Sequence, residues 1–374
     1  MANAVTRRSV LAVIGVGLGA ALAGCDSGEE PTVSTATPGP EQPEDPADLS
    51  DPEETDAPAP ATAADSAALV LALERTRALA TRCQQIRGAT GGHLKTQQQV
   101  QEALDLQARV LTDVLEAGSV ALPEPSTAPT GDASAGDGAA STGAPGDQST
   151  STSDQSGATA GPGGDGDTAT ATMPPAERAA ADLRALGKAC LEDVAPAALT
   201  SLSEVSAENL PMLLSIAGQR GATAHLLGHQ PRWEELSGPT GDPAAAVLDA
   251  YRPAVYGFEV LAARASGDER TAYESVLTSL RAVTRQLTQL AGDAASPAPL
   301  GYGLPGGTAG QEGRAALASD LLAVLPPTIM GPTAGFAGDP ASVAGAVRLL
   351  AESVRLAQPW RPLTGFPGMQ VPGA

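Results

Sequence analysis

The stretch Tyr273-Glu-Ser-Val-Leu-Thr-Ser-Leu-Arg-Ala-Val-Thr-Arg-Gln-Leu287 decides the fold class of this chain. Its apolar residues Tyr273, Val276, Leu280, Val283 and Leu287 recur at three- and four-residue steps, the spacing of one buried face on an α-helix. Stripes of the same period occupy most of the chain outside two compositionally biased segments. The sequence therefore predicts an all-α protein.

Four such helices are predicted in the C-terminal half, over residues 242–266, 269–290, 314–324 and 341–357. Asp242-Pro243 is a favourable helix start, and Gly267-Asp268 separates the first helix from the second. Pro253 either kinks the first helix or marks its true start. The glycines of residues 301–307 indicate a loop. All nine aromatic residues lie from Trp233 onward, so we expect an aromatic-supplemented four-helix core over residues 242–369.

Four further helices are predicted in the N-terminal half. The first two carry the stripes Leu69, Leu73, Thr76, Ala80, Cys83 and Val100, Leu104, Gln107, Leu111, Val114. A third helix begins at Pro174-Pro175, which suit a first turn, and a fourth covers residues 210–227. Residues 64–236 are therefore predicted to form a separate four-helix bundle, interrupted by an insert over residues 123–173.

Most of the acidity lies in two segments that we predict to be disordered. The chain has a formal net charge of −21, with 43 acidic and 22 basic side chains. Residues 25–62 and the insert at 123–173 contain 18 of the acids and no Lys or Arg. They also have few large apolar residues, so folding could not offset the entropy of ordering them. The absence of a basic stripe argues against nucleic-acid binding.

Leu22-Ala23-Gly24-Cys25 ends an apolar run that follows Arg7-Arg8, and it has the form of a bacterial lipobox. The run is too short for a stable membrane span but suits a signal peptide over residues 1–24. Acylated Cys25 would hold the protein on the extracytoplasmic face of the cell membrane, with residues 25–62 as a tether. The alternative is an ordinary secretory signal. Either the twin-arginine or the general secretory route fits Arg7-Arg8.

Cys83 and Cys190 are the only other cysteines, and each lies on the apolar stripe of its helix. Both would be outside the reducing cytoplasm, so a disulfide between the first and third helices is predicted. The alternative is a pair of buried free thiols.

The C-terminal half resembles an uncharacterised ferritin-like domain of lipoproteins from high-GC Gram-positive bacteria. The resemblance covers residues 242–369 and rests on four short motifs: Ala254-Val255-Tyr256-Gly257-Phe258, Gly301-Tyr302-Gly303-Leu304-Pro305, Ala316-Leu317-Ala318, and Trp360 with Phe366-Pro367-Gly368. It implies a four-helix bundle and no established activity. Where relatives often carry Glu-His, this chain has Tyr251 and Arg252.

Metal ligation and acid–base catalysis have little basis in the sequence. Ferritin-like di-iron sites need Glu-x-x-His on two helices, and none of the three histidines lies in such a motif. His225 and His229 have metal-ligand spacing but need a third ligand, for which Glu234 and Glu235 are the candidates. Both also suit a helix C-terminus. Glu259 and Glu274 would form an acid–base pair only if both faced inward.

The sequence thus predicts no catalytic residue, no cofactor and no metal site beyond the weak candidates His225 and His229. The leading functional hypothesis is a lipid-anchored extracytoplasmic protein that binds or scaffolds an unidentified protein or envelope partner. The main alternative is a metal-binding or redox protein of ferritin-like descent. An enzyme acting on envelope polymers is a third possibility with less support.

Overall fold

The computed structural model describes residues 63–122, 173–304 and 307–371. The predicted signal peptide, Cys25, the tether and residues 123–172 of the insert lie outside these ranges. The described residues are helical without any strand, which confirms the predicted all-α class. The helices are α1 (Ala63–Gln85), α2 (Gly91–Ala117), α3 (Pro175–Glu192), α4 (Pro196–Leu202), α5 (Leu210–Leu226), α6 (Asp242–Arg264), α7 (Gly267–Ala291), α8 (Gly310–Ala323), α9 (Leu325–Met330) and α10 (Pro340–Ala357).

Eight of these helices match predicted ones, and their starts follow from local sequence. All five stripe residues of α7 are buried, as the period predicts. Proline opens α3, where a missing N–H costs nothing in the first turn. Pro253 lies inside α6, well after its start at Asp242. It therefore does not mark the beginning of the helix.

Helices α4 and α9 were not predicted. Each is short, spanning 7 and 6 residues, and each has proline in its first turn. Two short 3₁₀ turns, Gly292–Ala294 and Thr333–Phe336, complete the helical elements of the described ranges. None of the described helices combines the length and apolar composition needed to cross a membrane.

The described helices belong to one compact unit, and their main core is shared by the two predicted bundles. Helix α1 packs along α2 and α6 packs along α7, but α5 packs along α10 from the other half. A Cβ added to Gly218 would lie 2.6 Å from Cβ of Leu350, so glycine permits the close approach of α5 and α10. A second apolar cluster joins α1, α2, α3 and α5 and contains both buried cysteines.

The segment after α10, residues 358–371, crosses back onto the N-terminal half. The side chain of Gln107 on α2 donates to the carbonyl of Gly365 at 2.7 Å, and Ser215 on α5 donates to that of Pro367 at 2.9 Å. Trp360 stacks on Tyr273, with ring centroids 5.7 Å apart. This C-terminal segment therefore ties α2, α5 and α7 together.

Candidate functional site

The structure corrects the predicted Cys83–Cys190 disulfide. Both residues are buried free thiols and are not placed at bonding distance, which is the alternative that the sequence left open. Burial favours the neutral thiol and raises the pKa to about 11 for Cys83 and about 12 for Cys190. Because the thiolate is the nucleophile and the metal ligand, neither cysteine is activated at neutral pH.

His225 in the last turn of α5 and His229 just after that helix have different surroundings. His229 donates from Nε2 to the carbonyl of Arg184 at 2.7 Å, which occupies that nitrogen. The pKa of His225 is lowered by burial and by the positive charge of Arg355. In the described ranges, no group of three or more His, Cys, Asp or Glu side chains is placed to hold a metal ion. Neither Glu234 nor Glu235 completes a ligand set with His225 and His229.

Glu259 and Glu274 do not form an inward acid–base pair. Glu259 pairs with Arg281 at 2.7 Å, and Glu274 pairs with Arg270 at 2.7 Å. All four side chains are about half exposed, so these are surface ion pairs of small energetic weight.

Tyr251 and Arg252 lie at the positions where the resembled domain often carries Glu-His. Tyr251 is fully buried, its hydroxyl has no hydrogen-bond partner, and burial raises its pKa. Arg252 is partly buried and donates to Asp249 at 3.2 Å and to the carbonyl of Ser296 at 2.7 Å. Tyr251 and Arg252 therefore do not form a joint catalytic or metal-binding site.

A buried polar network, which the sequence did not predict, is centred on Arg220 of α5. Arg220 is only 2% exposed, and its guanidinium forms an ion pair with Asp193 at the end of α3. It also donates to Thr76 Oγ1 on α1 at 2.6 Å. A buried charge is tolerated only where it is paired and hydrogen-bonded, and these two partners of Arg220 come from α1 and the end of α3.

Two neighbouring groups extend the network. Arg75 on α1 donates from Nε to the other oxygen of Asp193 at 2.8 Å, so this carboxylate joins two guanidinium groups. Gln107 on α2 donates to Gln219 Oε1 at 3.1 Å, and Gln219 donates to Thr223 at 2.9 Å. Arg220 donates to Gln107 Oε1 at 3.5 Å, so the network links α1, α2, α3 and α5, and Gln107 connects it to the C-terminal segment.

Nothing in this network is poised for chemistry. Arginine stays protonated at all relevant pH values, and the Asp193 carboxylate is occupied by two cations. The Nε atom of Arg220 is buried without a partner. A polar network of this kind fixes one arrangement of helices, because any other packing leaves its charges unpaired.

Residues 229–239, which lie between α5 and α6, pack against α10; we call them the connecting segment. Arg348 on α10 donates to the carbonyl of Glu234 at 2.8 Å. A Cβ added to Gly345 would overlap the carbonyl oxygen of Gly238, and one added to Gly238 would lie 2.7 Å from the backbone nitrogen of Ser342. Backbone and helix thus touch directly, and only glycine fits at either position.

Two surface hollows flank Trp233 of the connecting segment. The first has a volume of about 260 Å³ and lies between this segment, α4 and α10, with Trp233, Leu199 and Arg348 in its wall. The second has a volume of about 350 Å³ and lies between the segment, α5 and α10, with Trp233, His225 and Arg355 in its wall. The half-buried indole is a wall of both hollows. The sequence analysis did not predict this concave surface, which is built from the connecting segment, α4, α5 and α10.

No protein-family model, curated protein or solved structure matches this chain. The resemblance of residues 242–369 to a ferritin-like domain therefore rests on the sequence motifs alone.

Proposed function

We propose that this protein is a lipid-anchored extracytoplasmic lipoprotein with a non-catalytic binding or scaffolding role. The lipobox ending at Cys25 supports the anchor and the location. One structural observation carries the binding role: Trp233 is held half-buried between two hollows by a segment whose backbone is seated on α10. Aromatic side chains in fixed positions are frequent anchors of protein interfaces.

The binding surface would present mixed charge. Arg232, Glu234 and Glu235 are exposed beside Trp233, while Arg348 behind them is held by Glu352 at 3.3 Å and by Gln286 at 3.2 Å. An apolar anchor surrounded by exposed charged groups is typical of protein interfaces. The buried network centred on Arg220 would keep the supporting helices in one arrangement.

The C-terminal half is proposed to be of ferritin-like descent. Helices α6, α7, α8 and α10 would be the four bundle helices, since α6 packs on α7 and α8, and α10 packs on α8. Because α10 also packs on α5, two adjacent bundles would share this helix pair. The alternative of a metal-binding or redox protein has no observation of its own in the described ranges.

Site-specific photocrosslinking on intact cells tests the binding role. A photoreactive residue at exposed Arg232 should give a discrete adduct with one partner, and the same residue at exposed Arg281 on α7 is the matched control. Identical patterns from both positions, or no adduct from position 232, would contradict the proposal. Release of the Cys25→Ala variant into the medium would support the lipid anchor.

Elemental analysis separates the proposal from its alternative. The purified protein should retain no stoichiometric iron, zinc or copper through gel filtration, before or after loading. The double variant His225→Ala/His229→Ala should give the same metal content. Stoichiometric metal in the parent protein would favour the metal-binding alternative instead.

A further inference from the structure

We propose that the hollow between α5, α10 and the connecting segment binds a small aromatic monocarboxylate, with Arg355 holding the carboxylate and Trp233 the ring. The inference rests on the proposed binding function, because it names the ligand class of one of the two hollows beside Trp233. It concerns the hollow of about 350 Å³, which we call the His225 hollow.

The floor of this hollow is made of small residues. Gly221 on α5 and Ala351 on α10 are both buried and line it. A Cβ added to Gly221 would lie 2.9 Å from Cβ of Ala351 and 3.2 Å from Cη2 of Trp233. The benzo edge of the indole therefore rests against the floor, where a larger residue would push it away. This places an aromatic wall beside open space of small-molecule size.

One full positive charge in the hollow is uncommitted. Within the described residues, the Arg355 guanidinium takes part in no hydrogen bond or ion pair, although the side chain is partly buried. Glu352, the only carboxylate in the lining, is already paired with Arg348 at 3.3 Å. A planar guanidinium matches the two oxygens of a carboxylate, with which it forms two parallel charge-assisted bonds.

The charge balance favours a singly charged ligand over a phosphate. The titratable groups lining the hollow are His225 from α5 and Glu352 and Arg355 from α10, while the connecting segment supplies none. Arg355 can neutralise one negative charge. The second charge of a phosphate would face Glu352 and the negative C-terminal end of α5. A neutral His225 ring can still donate one hydrogen bond to a carboxylate oxygen.

The ring of the ligand would lie against Trp233. Aromatic pairs in offset or edge-to-face contact gain more than their buried area alone provides. The chemistry described here is shared by a free aromatic acid and by the C-terminal carboxylate of a peptide that ends in an aromatic residue. Benzoate and a dipeptide ending in phenylalanine represent these two sources.

Titration calorimetry with the full chain carrying Cys25→Ser tests the proposal. Benzoate or the dipeptide should bind, whereas benzamide, which has the same ring but no charge, should bind at least about tenfold more weakly. The acid that binds more tightly shows whether the natural ligand is a free aromatic acid or a peptide C-terminus. Arg355→Gln should weaken binding at least about tenfold, and Arg355→Lys should weaken it less. The matched control is Arg361→Gln, at an exposed arginine that does not line this hollow, and it should bind like the parent.

The NMR titration of His225 provides a readout that does not depend on affinity. A bound carboxylate next to the ring should raise the pKa of His225 from its lowered value in the free protein. The proposal is overturned if neither acid binds, or if Arg355→Gln binds like the parent at an unchanged melting temperature. It is also overturned if the pKa of His225 is the same with and without the bound acid. If neither acid binds but position 232 still gives its discrete crosslinked adduct, the broader binding role remains supported.

Discussion

Asp193 at the end of α3 accepts hydrogen bonds from two arginines of different helices, the buried Arg220 and the partly exposed Arg75. Arg220 therefore depends on Asp193 more than Asp193 depends on Arg220. Replacing Asp193 by alanine leaves a buried positive charge without its counter-ion. Replacing Arg220 leaves Asp193 partly exposed and still paired with Arg75. This asymmetry can be measured.

Asp193→Ala should lower the free energy of unfolding by about 3–5 kcal/mol, the usual cost of leaving one buried charge unpaired. Arg220→Met should cost less, because methionine keeps part of the packing and Asp193 keeps Arg75. Urea denaturation measures both values. Arg281→Ala, which breaks the exposed pair with Glu259, is the control and should cost less than about 1 kcal/mol. Equal losses for Asp193→Ala and the control would contradict a network that fixes the packing.

Gly345→Ala should displace the connecting segment from α10, because its Cβ would overlap the carbonyl oxygen of Gly238. The expected cost is about 1–3 kcal/mol, as for other overpacked positions. Trypsin should also cleave the variant faster after Arg232, which lies on the displaced segment. Gly92→Ala is the matched control, since a Cβ there meets nothing within 4 Å. It should raise stability by about 0.4–1 kcal/mol, and similar behaviour of the two variants would refute the direct contact.

Much of the fold was predictable because long helices repeat their apolar residues many times. Helix α7 has 25 residues and several buried positions in period, so its stripe is unmistakable. Helices α4 and α9 are less than two turns long and show no period. In addition, Pro326-Pro327 favours a chain break over a helix when no tertiary context is known, although proline is compatible with a first turn.

The site was predictable only in fragments. Thr76 and Gln107 are polar residues inside predicted apolar stripes, and both contribute to the buried network. That signal identifies two buried polar groups but not their partners. Thr76 lies 144 residues before Arg220 in the chain, so their pairing depends on tertiary packing. The contact between Gly238 and Gly345 likewise shows no local pattern, because the residues come from a connection and a distant helix.

Cys83 and Cys190 should resist alkylation by iodoacetamide in the native protein at pH 8. Their raised pKa values of about 11 and about 12 leave very little thiolate at that pH. In denaturant both should react, and the intact mass of the full chain carrying Cys25→Ser should increase by two adducts without any reductant. A mass that requires reductant before alkylation would instead demonstrate the disulfide.

The raised pKa values of the two thiols also make the free energy of unfolding depend on pH in the alkaline range. The folded-state thiol pKa values lie above the reference value of 9.0, so the unfolded chain loses these protons first. The stabilising contribution is therefore complete below pH 9 and decreases as pH rises toward the folded values. The double variant Cys83→Ala/Cys190→Ala should show a smaller loss of stability between pH 8 and pH 10.5 than the parent protein.

Asp339 caps the N-terminus of α10, the helix on which the connecting segment lies. One carboxylate oxygen accepts from the backbone nitrogens of Ala341 and Ser342 at 3.1 Å, and the other accepts from Ser342 Oγ at 2.6 Å. The hydroxyl of Ser342 lowers the pKa of Asp339, and the two backbone bonds add to this effect. Asp339→Ala should therefore cost about 0.5–2 kcal/mol at pH 7.

Asp339→Asn separates the cap from its charge. Asparagine is a comparable cap, so this variant should lose less than Asp339→Ala at pH 7. Because the folded pKa of Asp339 is lowered, its charge stabilises the protein above the unfolded pKa and ceases to do so as pH falls through the folded value. The stability difference between the parent and Asp339→Asn should therefore shrink from pH 7 to pH 3. Denaturant midpoints at both pH values measure it, and a constant difference would show that the carboxylate charge contributes nothing to the cap.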